Sequence, residues 1–279
     1  MLGALSQLKL RERVAVWHNG EKVRMPIRRL MELWDRGCGR VGITDLHFRN
    51  SPVEDLFHLD RICHFDVLHR SSDDVRRQEM MTFILSTKGQ VTDSHSDDPD
   101  GSNHCLLGRK LWLAWDTFEG LEKGLEDVSR IDHPVDRAAF DLDTLLSLRS
   151  SRWFYMKEGE TLFLPGNLTH KVITLEKYAG ISAFYVALPN FLRTISRWAL
   201  RTPLWVLDSR ANRHLADEVS RTLLAHLRRV RRSAAHVKRR NGFDFLTVAH
   251  QHWKREYDEE ARRSLLRNAY IAGFLRGIS

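Results

Sequence analysis

Short alternating runs of apolar and polar residues open the chain and predict a β-hairpin. The runs Arg13–Trp17 and Lys22–Met25 flank the pair Asn19-Gly20, which favours a tight type I′ turn. From Pro26 the apolar residues follow helical spacing, and this pattern stops near Gly37. The sequence therefore predicts a hairpin followed by one amphipathic helix.

Between residues 79 and 188 the pattern changes to short apolar runs separated by turn residues. The stretches Gly108-Arg109-Lys110 and Pro165-Gly166-Asn167 are predicted turns, and Phe118–Leu148 is a predicted helical insertion. Such a succession of strands and turns indicates an antiparallel sandwich or barrel. The predicted strands are Glu79–Ser86, Cys105–Leu107, Leu111–Trp115, Thr161–Leu164, Lys171–Thr174 and Ile181–Leu188.

After Pro189 the apolar period becomes helical to the end of the sequence. Three regions follow from these patterns. Residues 1–78 carry the hairpin and helices that flank the core, residues 79–200 form the β core with its insertion near 118–148, and residues 201–279 form a helical region. The predicted fold class is mainly β with helical flanks.

Charge separates the last region from the rest of the chain. The net charge is +8, and residues 201–279 carry 17 Lys and Arg against 8 Asp and Glu, whereas residues 1–200 carry 27 and 28. The runs Arg228–Arg232 and Lys238–Arg240 would expose a basic helix face that attracts nucleic acid or an acidic protein. The alternative is a solvated helix face, because no base-reading motif or aromatic platform accompanies the charge.

Composition bounds the class of protein. The apolar fraction of 42% and the charged fraction of 29% exclude a wholly disordered chain. The three cysteines, Cys38, Cys63 and Cys105, are too widely spaced for a disulfide framework or a zinc motif. No apolar run is long enough to span a bilayer, and residues 1–10 lack the features of a signal peptide. We expect a soluble intracellular protein without a membrane partner, cytoplasmic or nuclear.

The candidate chemistry begins at His95-Ser96-Asp97. In an extended strand, residues two apart project from one face, so this imidazole and this carboxylate can converge on one point. His170 follows the turn in Phe163–His170 and supplies a second imidazole. Two histidines and one carboxylate form the facial triad of non-haem Fe(II) oxygenases, which leaves metal positions open.

Two residues near the triad strengthen the pattern. Lys110 comes fifteen residues after His95 at the start of an apolar strand, where a buried cation would need an anionic partner. Thr92 precedes His95 by three residues and adds a hydroxyl near the same strand. The alternatives are a solvated turn lysine and a threonine selected for strand propensity.

With these motifs the chain resembles a known family, the JmjC-domain Fe(II)/2-oxoglutarate oxygenases. The resemblance rests on T-D-S-H-S-D, G-R-K-L-W-L-A-W and G-E-T-L-F-L-P-G-N-L-T-H-K-V, and it covers roughly residues 79–200. The segment Gly180–Arg193 is most similar to the histone-lysine demethylases of the plant-homeodomain-finger and F-box-associated types. The resemblance implies a double-stranded β-helix of jelly-roll or cupin type with the metal at its mouth.

The resemblance also implies roles for single residues. His95, Asp97 and His170 would bind Fe(II), while Lys110 and Thr92 would hold the distal carboxylate of 2-oxoglutarate, with O₂ as the second cosubstrate. Asn103 is a further candidate for contact with the cosubstrate or the pocket, and a hydrogen-bonded strand position is its alternative. The implied activity is oxidation of a protein side chain, N-methyl-lysine demethylation first, with a basic histone-like tail as a candidate substrate.

Three alternatives remain open from the sequence. A protein hydroxylase or a small-molecule hydroxylase would yield a stable alcohol, and a cupin-like module would bind a partner without turnover. The sequence also departs from the family at Asp98-Pro99-Asp100, where an apolar or Gly-rich stretch is usual, and at Leu168-Thr169, where an aromatic is usual. The acidic run Asp97–Asp100 predicts an acidic pocket wall and hence a cationic substrate.

Overall fold

The computed structural model describes the β-rich part of the chain and portions of the C-terminal region. The described residues are 11–47, 81–97, 99–125, 140–185, 187, 190, 192–194, 196, 231–232, 234–242, 244–267, 271–272 and 275–276.

The chain divides into two compact units. The first comprises Met1–Leu59, Gln78–Asp97 and Gly101–Phe184, and the second comprises Asp60–Arg77, Asp98–Asp100 and Tyr185–Ser279. This division groups residues 185–200 with the C-terminal region, whereas the sequence pattern assigns them to the β core.

Two antiparallel sheets form the first unit, so the predicted mainly-β class is confirmed. The seven-stranded sheet has the order β2-β1-β3-β4-β11-β6-β9, and the four-stranded sheet has the order β5-β10-β7-β8. The strands are β1 Arg13–His18, β2 Glu21–Pro26, β3 Val41–His47, β4 Met81–Ser86, β5 Val91–His95, β6 Asp100–Leu107, β7 Arg109–Asp116, β8 Arg152–Lys157, β9 Thr161–Leu164, β10 Leu168–Thr174 and β11 Tyr178–Tyr185.

The predicted hairpin and helix are both present. β1 and β2 pair across Asn19 and Gly20, whose φ angles of 54° and 91° are those that a type I′ turn requires. Helix α1, Ile27–Arg36, ends at Gly37, which adopts the left-handed conformation and returns its N–H to the last turn. Leu30 and Trp34 of α1 pack into a buried cluster with apolar residues of β1 to β4 and β11.

The two sheets pack against each other through a second buried cluster. Ile84, Cys105 and Tyr178 project from the seven-stranded sheet, while Trp112, Met156 and Val172 project from the four-stranded sheet. The space next to this cluster holds the candidate site.

The described parts of the predicted insertion contain two short helices, α2 Thr117–Glu122 and α3 Leu142–Ser147. Leu125, Leu145 and Leu148 of this segment bury their side chains against Leu113 and Trp115 of β7. The middle of the insertion, 126–139, lies outside the described residues.

The described residues of the second unit are mostly helical. Helices α4, Phe245–Glu256, and α5, Glu259–Leu266, begin at Asp244 and Asp258, whose carboxylates accept backbone N–H bonds of the first turn. Trp253 of α4 is buried and donates from Nε1 to the Ser196 hydroxyl at 2.8 Å. No helix among the described residues has the length and apolar character required to cross a membrane.

Candidate metal centre and its cavity

His95, Asp97 and His170 converge as the sequence predicts. One potential ligand atom from each lies within 4.8 Å of the other two, and Asp97 Oδ2 is 3.9 Å from His170 Nε2. Strand pairing brings them together, because His170 on β10 is the cross-strand partner of His95 on β5. This His-Asp-His group could hold a metal ion.

Backbone carbonyls orient both imidazoles. His95 Nδ1 lies 2.7 Å from the Asp93 carbonyl oxygen, and His170 Nδ1 lies 3.1 Å from the Leu168 carbonyl oxygen. When Nδ1 carries the proton and donates it, the lone pair resides on Nε2, the nitrogen that then ligates a metal. In both histidines this hydrogen bond to a carbonyl leaves Nε2 available to a metal.

The surroundings fix the ligand side chains further. The His170 ring packs between the His95 ring, at a centroid distance of 4.2 Å, and the Trp112 indole, at 5.4 Å. The carbonyl of Asp97 accepts the backbone N–H of Asn167 at 2.8 Å. Asn167 is buried and holds a positive φ of 71°, so the turn before β10 is anchored to the residue that carries the carboxylate.

The donor set fits Fe(II). Two imidazole nitrogens and one carboxylate oxygen are the ligands of the non-haem iron triad, in which the remaining metal positions stay open. The His170 side chain is only 6% exposed, while that of Asp97 is 33% exposed, so the group is buried on one side and accessible on the other.

A cavity of about 970 Å³ lies beside the triad and is lined by all three of its residues. Every cosubstrate residue named from the sequence lines the same cavity. These residues are Thr92, Asn103 and Lys110. The structure thus brings together all six predicted site residues.

Lys110 is buried in β7, which corrects the predicted turn. Gly108 alone forms the turn, with a φ of 85°. Glycine is needed at this position because a β-carbon would overlap the carbonyl oxygen of Lys177. Strand pairing with β8 begins at Arg109 opposite Lys157, and Lys110 is 3% exposed. The predicted turn was therefore two residues too long, because Arg109 and Lys110 belong to β7, whereas the predicted burial of the lysine is confirmed.

Burial changes the acid–base chemistry of Lys110. Its ammonium lies 4.1 Å from the centre of the Tyr178 ring, and no carboxylate of the described residues pairs with it. Desolvation lowers the pKa of Lys110 from 10.5 to about 7. A buried cation that no described carboxylate pairs with can bind an anionic ligand.

Asn103 and Thr92 have different surroundings. Asn103 is buried on β6, and its Oδ1 accepts a hydrogen bond from the Tyr178 hydroxyl at 2.6 Å. Thr92 is half-buried on β5 opposite Val172 of β10. The hydrogen-bonded strand position considered for Asn103 is thus observed, alongside its place in the cavity wall.

The predicted acidic wall is wrong at Asp100. This carboxylate is 1% exposed, and it accepts hydrogen bonds from the Ala187 backbone N–H at 2.8 Å and from the Asn190 amide at 2.7 Å. The buried Asp100 carboxylate therefore binds Ala187 and Asn190 and does not line the cavity. Asp98 lies outside the described residues.

Two residues of the site were not predicted from the sequence. Trp112 lines the cavity, and its buried Nε1 has no hydrogen-bond acceptor among the described residues. Its position two residues after Lys110, on the same strand face, was a usable signal. No comparable sequence signal pointed to Tyr178, because this residue reaches the Lys110 ammonium from the opposite sheet.

Comparisons with known proteins add little to this geometry. No family model matches the chain, and no curated protein matches it. Among solved structures, it is similar to the conserved SPY1581 protein of unknown function from Streptococcus pyogenes, at 14% identity. The match covers 39% of this chain and 67% of that one with a TM-score of 0.24, a level of likeness that carries no argument about fold or function.

Proposed function

We propose that the protein is an Fe(II)- and 2-oxoglutarate-dependent oxygenase of the JmjC type that oxidises a side chain of a protein substrate. One observation carries the proposal: a His-Asp-His group and a buried lysine without a carboxylate partner among the described residues line one cavity. N-methyl-lysine demethylation is the first activity to test, and hydroxylation to a stable alcohol is the second.

The strand order supports a double-stranded β-helix. β4, β6, β9 and β11 lie in one sheet, and β5, β7, β8 and β10 lie in the other. From β4 onward the chain therefore passes from sheet to sheet, with β7 and β8 as an adjacent antiparallel pair. Two facing sheets wound in this way are the arrangement of a jelly-roll or cupin core.

Iron, when bound, supplies the redox chemistry that couples decarboxylation of 2-oxoglutarate by O₂ to oxidation of a C–H bond. The residues that would hold it are His95, Asp97 and His170. The chain's own part is to fix these donors, to bind the cosubstrate and to exclude water. The buried His170 and the packed Trp112 indole serve the last of these tasks.

The spacing of the strands suits 2-oxoglutarate. On β7, Ala114 is the cross-strand partner of His170, and Lys110 lies four residues earlier. A rise of about 3.4 Å per residue separates the two positions by roughly 14 Å. A lysine side chain of roughly 6 Å and a five-carbon diacid of roughly 5 Å, joined by one hydrogen bond, span such a distance.

Lys110 is the proposed anchor of the distal carboxylate. A carboxylate beside the ammonium would supply the counterion that none of the described residues provides, and a charge-assisted contact of this kind is worth about 1.5–3 kcal/mol. Thr92 and Asn103 line the same cavity and add a hydroxyl and an amide to it.

The overall reaction balances for both demethylation and hydroxylation. One C–H bond, O₂ and 2-oxoglutarate give one C–OH, succinate and CO₂. On an N-methyl group the product is a hemiaminal, which loses formaldehyde and leaves the amine with its proton. On an ordinary side-chain carbon the product is a stable alcohol.

The decisive experiment measures succinate formed from 2-oxoglutarate by iron-loaded protein, with metal content determined in parallel. We expect turnover in the wild type and its loss, together with loss of bound iron, in His95→Ala, Asp97→Ala and His170→Ala. His236→Ala, an exposed histidine of the C-terminal region, is the matched control and should behave as wild type.

The same assay distinguishes the rival functions. A non-catalytic cupin-like module would bind metal without releasing succinate, which would refute the proposal. If succinate forms, mass spectrometry of methylated and unmethylated peptides separates the activities, because demethylation removes CH₂ and hydroxylation adds one oxygen.

A further inference from the structure

Strands β1 and β2 present one open face of the seven-stranded sheet. Along β1 and β2 the residues alternate, and Val16 and Met25 are buried with helix α1 on the opposite face. The side chains at the intervening positions are exposed. These exposed positions on β1 and β2 are Arg13, Ala15, Trp17, Lys22 and Arg24.

This face is cationic. Arg13 and Arg24 lie across the strands, and each guanidinium donates to the other residue's carbonyl oxygen, at 2.7 and 3.2 Å. Lys22 is the cross-strand partner of Trp17, and the exposed Arg40 directly precedes β3. Within the described part of the chain, no carboxylate pairs with any of these four cations.

The cationic face continues into the cavity of the candidate metal centre. Trp17, Lys22 and Arg40 line that cavity together with the triad. Among the described residues, two carboxylates outside the triad also line it, Asp45 and Asp93, and Lys171 already pairs with Asp93 at 3.5 Å. With Asp97 of the triad included, three cations and three carboxylates line the cavity, so the excess positive charge lies on the open face and not in the cavity. An acidic segment fits this face, and the basic tail that the sequence suggested as substrate does not.

We infer that the open face of β1 and β2, where Arg13, Lys22, Arg24 and the neighbouring Arg40 surround Trp17, binds an acidic segment of the polypeptide substrate next to the side chain that enters the cavity. The inference rests on the proposed function for the identity of that polypeptide as substrate. Guanidinium groups suit this task because they present several donors in a fork that matches a carboxylate.

Charge complementarity alone also fits nucleic acid, but the aromatic content of the face does not. Proteins that hold single strands stack successive bases on two or more aromatic rings. Trp17, 42% exposed, is the one aromatic side chain on the described open face. Binding of a peptide does not require several aromatic side chains, because one indole can pack against an apolar side chain between two acidic residues.

Fluorescence anisotropy tests the inference without iron or 2-oxoglutarate. The ligand is a labelled peptide of about twelve residues with Glu or Asp at alternate positions around a central lysine, and the comparison ligands are a charge-inverted peptide and an oligouridine of about ten nucleotides. We expect the acidic peptide alone to bind, more weakly as NaCl rises from about 50 to about 300 mM.

Two double charge reversals locate the binding surface. Lys22→Glu with Arg40→Glu should weaken binding of the acidic peptide by about tenfold or more. Arg28→Glu with Arg36→Glu changes the net charge equally at exposed positions of helix α1, which packs on the opposite face, and should leave binding within about twofold.

Equal binding by the two double variants, binding of the charge-inverted peptide, or tighter binding of oligouridine would each overturn the inference. Because the titration needs no metal, its failure leaves succinate formation untouched. Conversely, an inactive metal centre would not abolish peptide binding, so the two proposals fail separately.

Discussion

The ammonium of Lys110 lies 4.1 Å from the centre of the Tyr178 ring, and the Tyr178 hydroxyl donates to Asn103 Oδ1 at 2.6 Å. Lys110 belongs to the four-stranded sheet, whereas Tyr178 and Asn103 belong to the seven-stranded sheet. The hydrogen bond fixes the ring, and the ring supports the cation across the space between the sheets. Tyr178 is thus a positioning residue for the proposed cosubstrate anchor.

Substitutions of Tyr178 separate the ring from the hydroxyl. Tyr178→Phe keeps the cation–π contact and loses one hydrogen bond worth about 1 kcal/mol, so we expect the KM for 2-oxoglutarate to rise by at most about fivefold. Tyr178→Leu loses both and should raise this KM at least about tenfold with a smaller effect on kcat. Initial rates of succinate formation give both constants, and thermal unfolding shows whether each variant folds. Equal KM values in the two variants would exclude a role for the ring.

Lys110 should make the free energy of unfolding depend on pH. Its pKa is lowered to about 7 in the folded protein, against an ordinary 10.5, because burial disfavours the charged form. Between these values the unfolded chain holds a proton that the folded chain lacks, so stability rises with pH. Relative to Lys110→Met, the wild type should gain roughly 1 kcal/mol per pH unit between about pH 7.5 and 9.5 and stay level below about pH 6.5.

Urea denaturation of both proteins across this range measures the difference directly. Groups that do not interact with Lys110 contribute equally in both proteins, so their contributions cancel; the neighbouring Cys105 is the exception. At neutral pH we expect Lys110→Met to be the more stable protein, because it removes a buried charge. A wild-type advantage that falls as pH rises would show that the ammonium is paired in the folded state.

Local chemistry decided which parts of the fold were predictable. The predictions of a turn at Asn19-Gly20 and of a helix end at Gly37 were correct because each depends on a backbone conformation that only a few residues adopt. The convergence of His95 and Asp97 needed only the two-residue period of a strand. The position of His170 beside them was predicted from the family resemblance, because the pairing of strands that are distant in sequence cannot be read from local sequence.

Long-range contacts explain the failures. The polar string Gly-Arg-Lys predicted a turn of three residues, whereas strand β7 already begins at Arg109. Asp100 sits in an acidic run, yet its donors come from Ala187 and Asn190, far along the chain. Asp100 was expected to face a ligand, and tertiary structure buries it instead.

Binding of 2-oxoglutarate should take up a proton at Lys110. The distal carboxylate favours the ammonium form and raises the lowered pKa, so at pH 8 most of one proton should enter on binding. Calorimetric titration of Mn(II)-loaded protein in two buffers with different ionisation enthalpies measures this number. Lys110→Arg is the matched control, because guanidinium stays charged and should show no such uptake. Identical proton counts for the two proteins would contradict the assignment of Lys110 as anchor.

Asn167 should control metal affinity through backbone geometry. Its φ of 71° suits Asn or Gly, and its N–H holds the carbonyl of Asp97 at 2.8 Å. Asn167→Gly keeps that conformation, whereas Asn167→Val opposes it by about 1–2 kcal/mol and should shift the turn that positions both Asp97 and His170. We expect Mn(II) affinity, measured by calorimetry, to fall about tenfold in Asn167→Val and to stay within about threefold in Asn167→Gly. Equal losses in the two variants would instead assign the effect to the Asn167 side chain, which is buried in the same turn.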